Sequence, residues 1–252
     1  MIHNKTIIFS DLDGTLIDEK YSFKNVKPLI DKILDLNTQI ILCSSKTRAE
    51  IEYYRKKLGV MDPFISENGA AIFIPKGYFK TNCSTKKNQN YDIIELGIPY
   101  SVIRQKLELI RKKNTNNIIG FGDLTPEEIA IESGLPIEQA KLAKQREYSE
   151  PFMLKHDDEK ELFNLIRKEG LRCIKGGRFY HLTGKHDKGE AVKILKKCYT
   201  SKFGSLKTLG LGNAQNDIQM LNAVDCSFFI EKNQNLVDVW ARIVNLINID
   251  EK

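Results

Sequence analysis

The sequence of 252 residues has one tryptophan, four histidines and seven prolines, and no apolar run in it approaches the ~20 residues that cross a bilayer. Its first apolar run, Ile7-Ile8-Phe9, is short and ends in acid at Asp11, which marks a buried strand and not a signal peptide. The five cysteines (Cys43, Cys83, Cys173, Cys198 and Cys226) are odd in number and contain no CxxC pair. That excludes a disulfide framework and reads as reduced thiols in a cytoplasmic protein. Four histidines with no second ligand set nearby exclude a zinc site. Charge of one sign is also scarce: 39 basic against 33 acidic residues leave a net charge of +6, spread along the chain apart from Lys112-Lys113 and Lys196-Lys197. Without interleaved aromatic and basic residues, the balance suits a solvated surface. An anionic small molecule is the better partner, and neither nucleic acid nor membrane is expected. Nothing in the sequence specifies an oligomeric state.

What is present is ordinary globular material, 41% apolar and 29% charged, long enough for one large core or two smaller ones. Residues 6–10 form an apolar strand closed by Asp11-Leu12-Asp13-Gly14. Residues 26–36 carry apolar side chains at helical spacing, 39–43 are β-rich, and 48–58 are helical with Gly59 as the stop. Short strands at 63–66 and 71–74 flank the turn Glu67-Asn68-Gly69. This alternation predicts right-handed crossovers and a parallel sheet. The polar stretch 81–90 reads as a boundary. Beyond it a strand (91–96), a helix (100–113), a strand (118–121) and a helix started by Thr125-Pro126-Glu127-Glu128 are expected. Helices over 136–148 and 158–168 follow, then a hairpin turning at Gly176-Gly177. Strand–helix alternation resumes from 188. The expected architecture is an α/β core made of residues 1–83 and 185–252, with an α+β block of residues 84–184 inserted.

The chemistry-bearing pattern starts at Asp11-Leu12-Asp13-Gly14-Thr15. Two carboxylates two residues apart at the carboxyl end of a strand lie on the edge where open parallel sheets bind ligands. Close carboxylates repel unless they share a cation, and Mg²⁺ suits a site of one or two carboxylates, water and a substrate phosphate. Ser44-Ser45 ends the next strand, where a hydroxyl and backbone N–H groups can hold phosphate oxygens. Lys188 opens the helix after the inserted block, against the dipole preference, which suggests a functional charge. Gly210-Leu211-Gly212-Asn213-Ala214-Gln215-Asn216-Asp217 brings further polar groups to a strand end. Cys43, beside Ser44, has no indicated base and reads as a buried strand cysteine.

These four motifs, in this order, resemble those of the haloacid dehalogenase-like phosphatases, whose fold is a Rossmann-like parallel-sheet core. The inserted block resembles their C2-type cap. A closer resemblance is to the mannosyl-3-phosphoglycerate phosphatase family. It rests on Ser44-Ser45-Lys46-Thr47-Arg48-Ala49-Glu50, on Glu67-Asn68-Gly69 with the segment 71–79, on residues 146–152 and on Gly177-Arg178-Phe179-Tyr180. The resemblance implies Asp11 as nucleophile, Asp13 as acid and base, Ser44 as phosphoryl holder and Lys188 as charge neutraliser. It implies Mg²⁺ held by Asp11, the Asp13 carbonyl oxygen, Asn213 and Asp217, with a phosphorylated sugar acid as substrate. Its substrate there is 2-O-mannosyl-3-phosphoglycerate, and its product, mannosylglycerate, is a compatible solute. Alternatives are a glucosyl-3-phosphoglycerate or other sugar phosphatase, a phosphomutase, and a weakened binding protein. The family usually has Asp where this chain has Asn213, so one negative charge is missing from the metal set. Substrate contacts are expected from Ser45, Lys46, Glu67, Asn68, Arg146, Arg178 and Tyr180, with Arg178 the first candidate for a carboxylate.

Overall fold

The computed structural model describes residues 5–80, 84–113, 118–154, 159–176 and 178–250, so Cys83 and Gly177 lie outside the described residues. The chain opens with β1 (Lys5–Ser10), α1 (Lys27–Asp35), β2 (Gln39–Leu42), α2 (Arg48–Leu58) and β3 (Phe64–Ser66). Then come β4 (Ala71–Pro75), β5 (Lys86–Lys87), β6 (Tyr91–Glu95), α3 (Tyr100–Lys113) and β7 (Ile118–Gly120). The middle continues with α4 (Pro126–Ser133), α5 (Ile137–Ala143), β8 (Ser149–Leu154), α6 (Glu159–Lys168), β9 (Arg172–Lys175) and β10 (Tyr180–Thr183). The last part holds α7 (Lys188–Phe203), β11 (Leu206–Gly212), α8 (Ile218–Leu221), β12 (Cys226–Phe229) and α9 (Leu236–Asp250). Contacts divide the chain into two compact units: Met1–Ser45, Ile51–Glu95 and Asp187–Lys252 form one, Lys46–Glu50 and Leu96–His186 the other.

The first unit is built on a four-stranded parallel sheet in the order β12-β11-β1-β2, the Rossmann-like α/β arrangement expected from the alternation. Ile7, Ile8 and Phe9 are fully buried, as are Ile40, Ile41 and Leu42, because a parallel strand is covered on both faces. The register sets Ser10 level with Leu42 and with Leu211. Backbone bonds then continue past the strand ends: Asp11 N–H donates to Leu211 (2.9 Å) and Cys43 N–H to Ser10 (2.8 Å). Parallel pairing thus delivers Asp11, Ser44 and Asn213 to one edge.

Here the fold departs from the expected boundary. β6 pairs antiparallel with β4, Ile94 against Ile72 and Ile93 against Phe73, and β5 pairs with β6. Tyr91 packs edge-on against Phe64 and Phe73 at 5.5 and 5.7 Å, and its hydroxyl accepts from Arg55 (3.2 Å). These contacts hold residues 86–95 in the first unit. The division between units therefore falls after Glu95 and after His186, not at 84 and 184.

The second unit has a four-stranded antiparallel sheet in the order β7-β8-β10-β9. Ile103, Leu107 and Ile110 line one face of α3, and together with Leu162 and Ile166 of α6 they cover Phe152 and Leu182. The capping box starting α4 is complete: Thr125 accepts from Glu128 N–H (3.2 Å) and Glu128 from Thr125 N–H (2.7 Å). The helix expected over 136–148 is shorter, since α5 ends at Ala143, and β8 begins at Ser149. Pro151 inside that strand masks it as a strand in the sequence. Among the described residues no helix is long and apolar enough to cross a membrane, and Cys43, Cys173, Cys198 and Cys226 form no disulfide.

Candidate active site

Lys188 is the centre of the arrangement. Its ammonium lies 2.7 Å from Asp11 Oδ1 and 2.6 Å from Asp217 Oδ1, and the side chain is fully enclosed. It occupies the first position of α7, and the cap before it, Asp187, accepts from Glu190 N–H (2.9 Å). Burial alone would lower the Lys188 ammonium, but Asp11 and Asp217 outweigh it and hold it above its ordinary value. Asp217 is equally enclosed, and its other oxygen accepts from the N–H groups of Asn213 and Ala214, both at 2.9 Å. One carboxylate thus fixes the Gly212–Asp217 turn and the lysine together.

Asp11 experiences the opposite balance. Burial pushes its carboxyl up to about 7, with Lys188 pulling it down and Asp217 and Asp13 pushing it up. Asp13 lies one residue past Leu12, whose carbonyl accepts from Leu16 and Ile17 N–H (both 2.9 Å), closing the turn. Gly14 has φ +68°, and a Cβ there would lie 2.2 Å from Asn213 Nδ2. The Asn213 amide therefore lies directly on the Asp13-Gly14 turn, which needs a residue without a side chain. From the far end of the chain the buried Trp240 indole N–H donates to Thr15 (2.9 Å), pinning the same turn.

Ser44 is fully buried; its N–H donates to Ile65 (3.1 Å) and its carbonyl accepts from Asn68 N–H (3.0 Å). Glu67 and Asn68 both have left-handed backbones (φ +47° and +61°), and both are buried. A Cβ on Gly69, φ +95°, would lie 2.2 Å from the Asp187 carbonyl oxygen and 2.8 Å from the Lys188 nitrogen. The Glu67-Asn68-Gly69 segment is thus a wedge between Ser44 and the start of α7, beyond the bare turn that its composition indicates. Cys43 is buried with its thiol pushed far up by that burial, which keeps it protonated and unsuited to nucleophilic attack.

In the second unit, Lys46 lies 3.5 Å from Glu50, and Arg146 lies 3.8 Å from the same carboxylate while donating to Ser149 Oγ (2.6 Å). The structure so gathers two of the expected substrate contacts around a buried glutamate not singled out in the sequence. It ties Arg178 and Tyr180 elsewhere. Arg178 donates to the Ser133 carbonyl (2.6 Å), at the end of α4, and Tyr180 donates to Glu159 while stacking on Phe152 (5.5 Å). Arg178, read as the leading carboxylate binder, acts here as a helix C-terminal cap.

The donor set suits a hard divalent cation. Asp11 and Asp217 bring two carboxylates to one ammonium, and Asp217 and Asp13 add to the burial that raises Asp11. Among the described residues no three Asp, Glu, His or Cys side chains form a ready-made metal group. A metal here would take a mixed oxygen set: the Asp11 and Asp217 carboxylates, the Asp13 carbonyl and the Asn213 amide oxygen. Oxygen-only donors of low charge favour Mg²⁺ over softer metals.

A family model described as haloacid dehalogenase-like hydrolase matches residues 8–248. The sequence is 46% identical over 232 residues to a protein of Methanococcoides burtonii named glucosyl-3-phosphoglycerate/mannosyl-3-phosphoglycerate phosphatase, covering 90% of this chain and 85% of that one. It is 43% identical over 228 residues to a mannosyl-3-phosphoglycerate phosphatase of Pyrococcus horikoshii, covering 89% of this chain and 90% of that one. In fold it matches a haloacid dehalogenase-like hydrolase of Bacteroides thetaiotaomicron, with TM-score 0.65 and 15% identity, over 95% of this chain and 100% of that one.

Proposed function

The chain belongs to the haloacid dehalogenase-like hydrolases, in the mannosyl-3-phosphoglycerate phosphatase family, and from that membership we propose a Mg²⁺-dependent phosphomonoesterase acting on 2-O-mannosyl-3-phosphoglycerate and its glucosyl counterpart. The observation that carries the reading is the enclosed Lys188 ammonium bridging Asp11 and Asp217.

Asp11, ionised, attacks phosphorus. Its carboxylate oxygen forms the new P–O bond as the ester P–O bond breaks, and Asp13 gives its proton to the departing glycerate oxygen. Asp13, now a carboxylate, takes a proton from water as the water oxygen bonds to phosphorus, and the Asp11–phosphoryl bond breaks to release phosphate. Ser44 holds a phosphoryl oxygen, and Lys188 balances the charge on Asp11 throughout. Asp11, the Asp13 carbonyl, Asn213 and Asp217 would hold Mg²⁺, which when bound would supply positive charge favouring the ionised Asp11 and offsetting the phosphoryl oxygens. Lys46 and Arg146, gathered on Glu50, are the proposed contacts for the acid group, with Ser45, Glu67 and Asn68 as further polar contacts. Arg178 and Tyr180 are left out of the contact set because their polar groups serve the second unit's framework.

The test is phosphate release from mannosyl- and glucosyl-3-phosphoglycerate, hexose phosphates and 3-phosphoglycerate, with Mg²⁺ or with EDTA. Hydrolysis of the glycosylated esters with Mg²⁺ alone is expected, and Asp11→Asn abolishes it. Turnover retained by that variant contradicts the nucleophile, and transfer without release indicates a mutase.

A further inference from the structure

We infer that the side-chain amide of Asn68 is a further donor to the substrate's phosphoryl group, and that Asn216 turns it the right way. The inference rests on the phosphatase reading and adds a ligand contact to it.

Asn68 stands where the phosphate-handling segments meet. Its backbone N–H is bound to the Ser44 carbonyl, and Gly69, its neighbour, packs on the Asp187–Lys188 peptide. Its side chain is held across 148 positions of sequence: Asn216 Nδ2 donates to Asn68 Oδ1 at 2.8 Å. That bond decides the polarity of the Asn68 amide. With the oxygen committed to Asn216, the NH₂ faces the other way. This NH₂ is buried and finds no hydrogen-bond acceptor among the described residues. Asn68 as a whole is 2% exposed.

A buried donor left unmade is costly and uncommon, so its persistence calls for an acceptor from outside the chain. An NH₂ is matched by an oxygen acceptor, and the segment that carries it joins Ser44 to the backbone at the start of α7, where Lys188 stands, so the matching ligand atom is an anionic oxygen. Ser44 and Lys188 are as buried as Asn68. Asn68 sits at φ +61°, a conformation that asparagine and glycine both adopt readily.

Glycine also provides the test, because Asn68→Gly keeps the favoured backbone and deletes the amide with its bond from Asn216. The probe is inorganic phosphate with Mg²⁺, read by titration calorimetry, beside steady-state phosphate release and thermal melting. Asn68→Gly should melt no lower than Asn216→Ala, which loses the same bond, yet bind phosphate about tenfold more weakly than wild type and lose at least about tenfold in kcat/KM. Asn68→Asp, which presents oxygen in place of NH₂, should lose more than the glycine variant. Asn216→Ala should weaken phosphate binding in the wild type and change nothing further in the Asn68→Gly background. Wild-type phosphate affinity in Asn68→Gly overturns the inference, as does failure of the wild type to bind phosphate. If phosphate binds and depends on Asn68, but no ester is hydrolysed, the phosphatase reading fails and the amide contact stands.

Discussion

Replacing Lys188 with methionine keeps the unbranched chain and deletes the ammonium. Two enclosed carboxylates, 2.7 and 2.6 Å away, then lose their shared cation. Breaking a buried ion pair by removing one partner costs about 3–5 kcal/mol, because the charge left behind is uncompensated. At roughly 2–4 °C per kcal/mol for a unit of this size, the variant should melt about 6–20 °C below wild type at pH 8 in EDTA. The dependence on pH has a definite sign. Asp11 is pushed up to about 7 from an ordinary 3.8, by burial first, with Lys188 opposing. A carboxyl raised in the folded state stabilises the fold below its unfolded pKa, and that contribution is lost as pH rises through the folded one. In wild type without divalent cation the loss therefore runs from about pH 4 to about pH 7. Deleting Lys188 removes the opposing influence and raises Asp11 further. The gap between wild type and variant should be widest at pH 8 and narrow toward pH 5, where Asp11 is protonated in both. Thermal melts at pH 5 and pH 8, with and without Mg²⁺, read this directly. A variant as stable as wild type at pH 8, or an equal gap at both pH values, refutes the reasoning.

Three other perturbations separate parts of the same account. Asn213→Asp restores a carboxylate beside Gly14, so half-maximal activity should need at least about tenfold less Mg²⁺, and unchanged metal dependence counts against Asn213 as a ligand. Gly69→Ala should cut kcat at least about tenfold and lower the melting temperature, since its methyl meets the Asp187 carbonyl at 2.2 Å. The control is Gly77→Ala, equally left-handed at φ +76° but with nothing within 4 Å among the described residues, which should cost about 1–2 kcal/mol and leave turnover intact. Equal kinetic effects at the two glycines defeat the wedge reading. Glu150, fully buried, accepts from Gly122 N–H at 2.9 Å, and burial raises its pKa above 4.5. Its ionisation costs stability as pH rises through that raised value, so Glu150→Gln should flatten the decline in melting temperature between pH 5 and pH 8; parallel slopes disprove it.

Local pattern carried the parts of this fold that are local. The Ile7-Ile8-Phe9 run is β1, and Thr125 and Glu128 form both bonds of their capping box. Pairing across the chain is another matter. Nothing in residues 91–95 says that their partner is β4 and not the strands after them, because an amphipathic strand fits any exposed sheet edge. That is why a polar stretch read as a boundary proved internal to the first unit. Arg178 shows the same limit on the scale of one side chain: its charge suggests a ligand, but the end of α4 supplies carbonyls that satisfy it first.

The candidate-site residues are more legible than their supports, and there is a physical reason. Asp11, Asp13 and Lys188 break local rules: acid ends a buried strand, and a lysine opens a helix whose dipole repels it. Such conflicts mark positions where something outside the local pattern sets the residue type. Asn68, Gly69 and Asn216 break no such rule, since Asn and Gly are what any turn would carry. Their role exists only in the distances between segments, 2.8 Å from Asn216 to Asn68 and 2.2 Å from a hypothetical Gly69 Cβ to Asp187. Residues that hold charge against their surroundings are therefore readable from sequence, whereas residues that hold those charges in place are readable only from the fold.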